Sequence, residues 1–288
     1  VNSGANPYRV IRDWAHLDKE NRPWGGSNGV AIDRDGKSVG EELRRIGYAG
    51  HEPVAKPSLH RFVELHIEQG PVLDREGVTI GAVDTLQGIS WTEFTIKGTS
   101  NHAGTTPMEL RHDAGLVAAR IAVQAREIAL RLGGRQLATV GALELKPNLV
   151  NVIAAQAVLT VDLRNTDAAA LAEAERALFA FADQAAQAEG LRCERRSLAR
   201  FEPVAFDAAL VDLIEAQTRA LGFSHRRMPS GAGHDAQMLA RVCPAAMIFV
   251  PSVGGLSHNV REHTHPDDLV HGAEVLLQVV LQLADRPD

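Results

Sequence analysis

Three short segments set an imidazole among glycines, amides and hydroxyls: Leu65-His66-Ile67-Glu68-Gln69-Gly70, Asn101-His102-Ala103-Gly104-Thr105-Thr106-Pro107-Met108 and Gly254-Gly255-Leu256-Ser257-His258-Asn259. Imidazole is the commonest metal ligand and a proton carrier near neutral pH, so histidines in such surroundings point to an enzyme. A lone histidine such as His66 is more often structural than a ligand; Glu68-Gln69-Gly70-Pro71 sharpens it by adding a carboxylate, an amide and a tight turn. His258 follows a glycine pair, where backbone can approach an ion or substrate closely. His102 precedes Gly104 and a Thr-Thr-Pro turn, which displays it on a loop between a strand and its helix. Arg164, at a strand's end, could clamp a carboxylate with two parallel bonds. The same spacing fits a salt bridge to Asp162, and both readings stand. His112, His225, His263, His265 and His271 have charged or helical neighbours and read as solvated surface residues.

The elements that must position these groups can be read from periodicity. Trp91 to Lys97 alternates, with Thr92, Phe94 and Ile96 on one face, and Ala114 to Leu132 reads as a helix stopped by Gly133-Gly134. Strands follow at Thr139 to Leu145 and at Ala157 to Arg164, where Ala157, Leu159, Val161 and Leu163 share a face. Asp167 caps a helix from Ala168 to Glu189 that stops at Gly190, and Leu191 to Arg200 is a last strand. The order β-α-β-β-α-β predicts a ferredoxin-like two-layer unit. On its C-terminal side come a helix at Ala208 to Leu221, a glycine-rich turn at Ser230 to Gly233, a helix from Asp235 to Val242, the apolar strand Ala245 to Val250 and a helix from Gly272 to Leu283. On its N-terminal side are a helix at Val39 to Ile46 and a helical or extended stretch into His66. The expected fold class is α/β: a mostly parallel sheet covered by helices, interrupted by the inserted βαββαβ unit. The expected division is residues 1–87 (1–26 unassigned), 88–202 and 203–288.

Composition narrows the function classes. At 45% hydrophobic residues over 288 positions the chain can bury a large core. No apolar run approaches the roughly 18 residues of a membrane span, and the start lacks the pattern of a signal peptide, so a cytoplasmic protein with no membrane partner is expected. A net charge of −6 without a long basic run argues against nucleic acid. Cys193 and Cys243 fit neither a disulfide framework nor a metal knuckle and read as buried thiols.

His-Ile-Glu-Gln-Gly-Pro, Asn-His-Ala-Gly-Thr-Thr-Pro-Met, Pro-Asn-Leu-Val-Asn-Val-Ile followed by Asp-Leu-Arg, Ser-Gly-Ala-Gly-His-Asp-Ala, and Gly-Gly-Leu-Ser-His-Asn occur here in one order. In that order they resemble the amidase/hydantoinase/carbamoylase family of dinuclear zinc hydrolases, which includes N-carbamoyl-L-amino acid hydrolases and allantoate amidohydrolases. Gly88-Ile89-Ser90-Trp91 with Pro147 to Val152 looks closer to the carbamoylase branch. The resemblance implies a catalytic domain with two divalent ions (zinc, manganese, cobalt or nickel) and an inserted lid that forms a homodimer. It implies that His66 ligates one ion and His258 the other. Gln69, Asn151, Arg164 and the Gly233 backbone would contact a small ureido acid, and His102 would also steady the developing oxyanion.

The sequence departs from the family upstream. The family's His-x-Asp ligand, bridging Asp and Glu-Glu pair are not found in context: Ala15-His16-Leu17-Asp18 lacks the flanking glycines, and Glu41-Glu42 lies in a helix that matches a later part of the family. The chain is therefore expected to lack an N-terminal portion and to supply only two of the implied metal ligands. Ala154-Ala155 replaces a usual Pro-Gly, and Val260 stands where an acidic residue is common, leaving Glu262 to serve that loop. Two readings follow. One is hydrolysis of N-carbamoyl-L-amino acids or related ureido acids, with allantoate as the alternative substrate. The other is an inactive fragment that keeps only lid-mediated dimerisation.

Overall fold

The computed structural model describes residues 38–48, 50 and 59–284. The expectations for His16, Asp18 and the unassigned residues 1–26 lie outside the described residues. The chain separates into two units between Ala55 and Lys56. In the first, α1 (Val39–Arg45) opens with a reciprocal cap: the Ser38 hydroxyl accepts from the Glu41 amide, and the Glu41 carboxylate accepts from the Ser38 amide at 2.6 Å. Glu41 thus has a helix-terminal role.

The second unit holds two sheets. Its chain order is β1 (Phe62–Ile67), α2 (Val72–Glu76), β2 (Ile80–Leu86), β3 (Gly88–Lys97), α3 (Ala114–Leu132), β4 (Leu137–Lys146), β5 (Gln156–Asn165), α4 (Ala168–Ala188), β6 (Arg192–Phe201), β7 (Val204–Ala205), α5 (Ala208–Ala220), β8 (His225–Ser230), α6 (Asp235–Leu239), β9 (Ala245–Val250) and α7 (Pro266–Ala284). The first sheet runs β1-β9-β2-β7, with β8 on the other edge of β2. All six residues of β9 are buried, which explains its uninterrupted apolar text. The fold class is the α/β one expected, with one refinement: this sheet is mixed. β1 pairs parallel to β9 and β2 parallel to β8, but β2 is antiparallel to both β9 and β7, because the one-turn α2 sends the chain straight back.

Helices α5 and α7 pack on the first sheet, and α6 packs on β1 and β9. A Cβ on Gly272 of α7 would lie 2.5 Å from Val250 and 2.8 Å from Leu65, so glycine there lets α7 sit close on the β1 face that carries Leu65. Alternation puts Glu64 and His66 on the opposite face. Helix α7 begins at Pro266, earlier than its periodicity suggests, since proline is well suited to a first turn. His271 thereby falls inside the helix, its ring 4.5 Å from that of Phe223 and its Nδ1 buried, and is not a free surface residue.

The second sheet, β4-β5-β3-β6, is antiparallel throughout. Helices α3 and α4 lie on it, capped by Asp113 and Asp167 as their side chains accept from helix amides. Ala157, Leu159, Val161 and Leu163 are buried against α3 and α4, as their alternation predicts. Each sheet has its own apolar cluster, one built on Ile248, Phe249, Leu86 and Ile214, the other on Phe94, Ile121, Leu159 and Leu178. Cys243 is buried, whereas Cys193 is only partly so; both are free, and burial pushes the Cys193 thiol up to about 11. Among the described residues no helix is long and apolar enough to cross a membrane.

Candidate functional site

The His66 and His258 segments leave the C-terminal ends of neighbouring parallel strands, since Ile67 of β1 pairs with Val250 of β9. They are pinned together. The Gln69 amide donates to Ser252 Oγ at 3.0 Å, Gln69 Nε2 donates to Ser257 Oγ at 3.1 Å, and the Gly254 amide donates to Asp74 Oδ2 at 2.9 Å. A Cβ on Gly255 would lie 2.6 Å from the Pro71 backbone, so only glycine allows the approach, and its φ of +66° favours glycine again. Glu68 is consumed structurally, because its two oxygens accept the Val72 and Leu73 amides at 2.8 Å and cap α2.

Among the described residues two non-glycine residues have positive φ, Gln69 at 57° and His258 at 54°. Left-handed backbone costs a side-chain-bearing residue about 1–3 kcal/mol, and such positions concentrate at functional sites. Both residues line a cleft of about 630 Å³ together with Gln87, Arg164, Met228 and Gly231. Glu262 accepts the His258 amide at 3.0 Å, and its carboxyl is held below the usual carboxylate range first by the Ser257 side chain and then by that amide.

His66 Nδ1 lies 2.8 Å from the Ile67 carbonyl oxygen, which can only accept, so Nδ1 carries the proton and Nε2 keeps a lone pair. That is the tautomer a metal ligand needs. Beside it stand two groups that the sequence reading passed over. Glu64, two residues before His66, shares its face of β1, and His234 is the N-cap of α6. The His66 and His234 rings meet edge to face at 4.5 Å, and His234 Nδ1 is 3.7 Å from Glu64 Oε1. These three side chains form a cluster able to hold a metal ion, with candidate ligand atoms within 4.8 Å of one another. Burial pushes the His234 ring down to about 4, the neighbouring His66 ring acting in the same direction because two adjacent imidazoles resist both being protonated, and burial also raises the Glu64 carboxyl. The signals were in the sequence: a period of two from His66 reaches Glu64, and His234 sits inside Ser230 to Ala236.

The groups from the second sheet lie elsewhere. His102 and Asn151 are brought together at its tip, through a bridge from His102 to Val152 and the Ala103 amide on the Asn151 carbonyl at 2.9 Å; both are exposed, and neither lines the cleft. His102 Nδ1 accepts from the Gly104 and Thr105 amides at 3.0 and 3.2 Å, which leaves Nε2–H as an outward donor. Arg164 does reach the cleft. It forks onto Asp162 through Nε and Nη2 at 2.7–3.1 Å, and its Nη1 donates to the Gly231 carbonyl at 2.5 Å. The salt-bridge reading of Arg164 is therefore the geometry present. Gly233 lies in the turn between β8 and α6, where a Cβ would meet only the Gln237 side chain at 3.5 Å.

Comparison with known proteins places the chain in a family. An N-carbamoyl-L-amino-acid amidohydrolase of Rhizobium meliloti is 41% identical over 253 residues, 88% of this chain and 61% of its own length. An allantoate amidohydrolase of Escherichia coli is 36% identical over 280 residues, 91% of this chain and 66% of its own. A crystal structure of an amidase of the hydantoinase/carbamoylase family from Burkholderia multivorans superposes with a TM-score of 0.83 at 44% identity, over 89% of this chain and 62% of that one. The chain thus spans about three fifths to two thirds of the length of these relatives. The model of peptidase family M20/M25/M40 matches residues 36–282, and the chain belongs to that family.

Proposed function

We propose that the protein carrying this chain is a metal-dependent amidohydrolase that cleaves the ureido C–N bond of N-carbamoyl-L-amino acids. The products would be the free amino acid, ammonia and carbon dioxide. The observation that carries this reading is the pinned pair of loops, which holds Gln69 and His258 in strained backbone at one cleft. His66 and His258 would each hold one of two divalent ions. The donor set fits, since His66 offers a bare Nε2. Bound there, the ions would polarise the ureido carbonyl and make water nucleophilic near neutral pH.

The chain's own residues do the rest. Gln69 already donates to Ser257, so its amide is oriented before a substrate arrives. His102, with its Nε2–H turned outward, donates to the oxygen that gains negative charge as the carbonyl carbon becomes tetrahedral. Asn151 beside it and the Gly233 backbone bind the ureido acid. Arg164 has Nη hydrogens left over once the Asp162 fork and the Gly231 bond are made, and a substrate carboxylate would compete with Asp162 for the fork. In this reading residues 1–87 (1–26 unassigned) and 203–288 belong to a partial catalytic domain, and the protein is cytoplasmic. Residues 88–202 form a lid that carries His102, Asn151 and Arg164 and joins two copies of the chain. Since His102 and Asn151 lie away from the cleft, the partner's lid would complete each site.

The relative named for allantoate supports a second substrate, a ureido acid with two carbamoyl-amino groups. Ammonia release from a panel of N-carbamoyl-L-amino acids, their D-enantiomers and allantoate, by the full-length protein with added manganese or cobalt, separates the two. Turnover of the L-carbamoyl acids is expected; turnover of allantoate alone would give the second reading, and no turnover of either would dismiss both.

A further inference from the structure

We infer that Gln87 sets the side-chain preference of the reaction: its carboxamide oxygen accepts from an N–H or O–H on the side chain of the ureido acid, so that a side chain such as asparagine's is favoured over an apolar one of the same size. The inference deepens the proposed hydrolysis of N-carbamoyl-L-amino acids and rests on it. Gln87 is where the chain passes from the mixed sheet to the antiparallel one, between the end of β2 at Leu86 and the start of β3 at Gly88. Its backbone is held on both sides. The Gln87 amide donates to the Ser230 carbonyl at 3.0 Å, and a Cβ on Gly88 would lie 2.9 Å from the Pro203 nitrogen, so the outgoing and returning crossings between the sheets touch here. The side chain, by contrast, has nothing holding its oxygen. Gln87 is 6% exposed, and its Oε1 is buried with no hydrogen-bond partner among the described residues.

A buried acceptor without a donor costs free energy that an incoming donor recovers. That donor has to arrive through the cleft, which Gln87 lines; behind it stands Gly231, where a Cβ would lie 3.9 Å from Oε1. The terminal torsion of a glutamine is soft, so a turn of the unbonded amide presents its oxygen to the cleft at little cost. The neighbours fix which part of the substrate lies there. Arg164 bonds to the Gly231 carbonyl and has Leu137 of β4 as its register partner, while Pro229, one residue before the Ser230 that holds the Gln87 backbone, lines the same cleft. In an amino acid the carboxylate and the side chain leave the same carbon. With the carboxylate on Arg164, the side chain therefore lies beside it, its carbons against Leu137 and Pro229 and its polar end at Gln87. An apolar side chain would leave the Gln87 oxygen stranded, and sites that strand a buried polar group are the ones that discriminate strongly between isosteres.

The test compares N-carbamoyl-L-asparagine with N-carbamoyl-L-leucine, whose side chains have nearly the same shape, on the full-length protein with added manganese and on its Gln87→Met variant. The parent should prefer the asparagine compound. Gln87→Met should lower kcat/KM for asparagine relative to leucine by about tenfold, chiefly through KM, because the contact lies away from the reacting carbonyl. A merely structural role would lower both substrates alike and leave their ratio where it was. Should Gln87→Met fail to fold, a crystal structure of the metal-stripped parent with N-carbamoyl-L-asparagine decides, with the side-chain amide expected within hydrogen-bond distance of Gln87 Oε1. The inference falls if the parent prefers leucine, if the ratio is the same in folded Gln87→Met, or if the bound asparagine amide makes its bonds elsewhere. Any of these, with N-carbamoyl-L-amino acids still turned over by the parent, leaves the proposed function standing. Failure of the parent to turn over any N-carbamoyl-L-amino acid would sink both.

Discussion

The two sheets deliver their polar groups in opposite ways. The mixed sheet braces them: Glu64 of β1 and His234 beside it are held by hydrogen bonds to helix and turn groups, and the half-buried Gln69 and the exposed His258 are fixed by loops that touch at Gly255. The antiparallel sheet displays them: His102 and Asn151 stand exposed at a tip, locked by local hydrogen bonds but facing no partner group of the mixed sheet. Groups that must keep a fixed spacing to an ion gain from rigid, braced mounting. Groups that act only when a substrate is present can wait in the open. Arg164 is intermediate, rooted in the antiparallel sheet yet bonded to the Gly231 carbonyl of the other part.

The independence of the two cores can be broken first. Phe94 is fully buried in the antiparallel sheet's cluster, so Phe94→Ala should cost about 3–5 kcal/mol in that part. Hydrogen exchange should report the loss in β3, β5 and α4 and leave β9 protected; equal loss of protection in β9 would mean one cooperative core. Gly255→Ala attacks the braced mounting. Its Cβ meets Pro71 and its φ is left-handed, so a loss of about 1–3 kcal/mol in urea unfolding is expected. Substrate or metal affinity at the cleft should fall with it, and an unchanged affinity would show that the loop contact does not hold the site together.

Arg164→Lys sharpens the intermediate case. Lysine keeps the charge but not the fork, and with both partners about a quarter exposed the stability cost should be about 1 kcal/mol. If the substrate takes over the fork, kcat/KM for carboxylate-bearing substrates should fall by more than that stability loss accounts for. Equal loss for an amide-capped analogue would leave Arg164 with a structural role alone. The smallest effect is expected far from the site, at Glu215, whose carboxyl Arg227 holds below its ordinary range through a side-chain hydrogen bond. A depressed carboxyl stabilises above its unfolded pKa, and that contribution disappears as pH falls through its folded value. Glu215→Gln should therefore cost about 0.5 kcal/mol at neutral pH and nothing at strongly acid pH, by urea midpoints at both.

The antiparallel sheet was legible in the sequence because its signals are local. Alternation from Ala157 to Leu163, aspartates at both helix starts and glycines after both helices all act within a few residues. In the mixed sheet β2 was not read as a strand, and its direction is not legible in any case, since an apolar strand reads the same whichever way its neighbour runs. The site divided along the same line. His66, Gln69, His102 and His258 stand in polar, glycine-rich text and announce themselves. Glu64 and His234 acquire meaning only when α6 is laid on β1, a contact closed by the bond from the Ala236 amide to Glu64 across 172 positions, which no local pattern encodes. Arg164 remained ambiguous because one spacing serves both a substrate clamp and the Asp162 bridge that forms.

The division of labour between the braced and the displayed groups is tested most directly by His102→Asn in the full-length protein, with metal content and ammonia release from an N-carbamoyl-L-amino acid measured on the same sample. His102 makes its bonds within its own loop and touches none of Glu64, His66 or His234, so metal content should equal that of the parent. Loss of the Nε2–H donor should lower kcat by about 10²–10³-fold. Unchanged kcat, or a loss of activity that merely follows a loss of metal, would contradict the account.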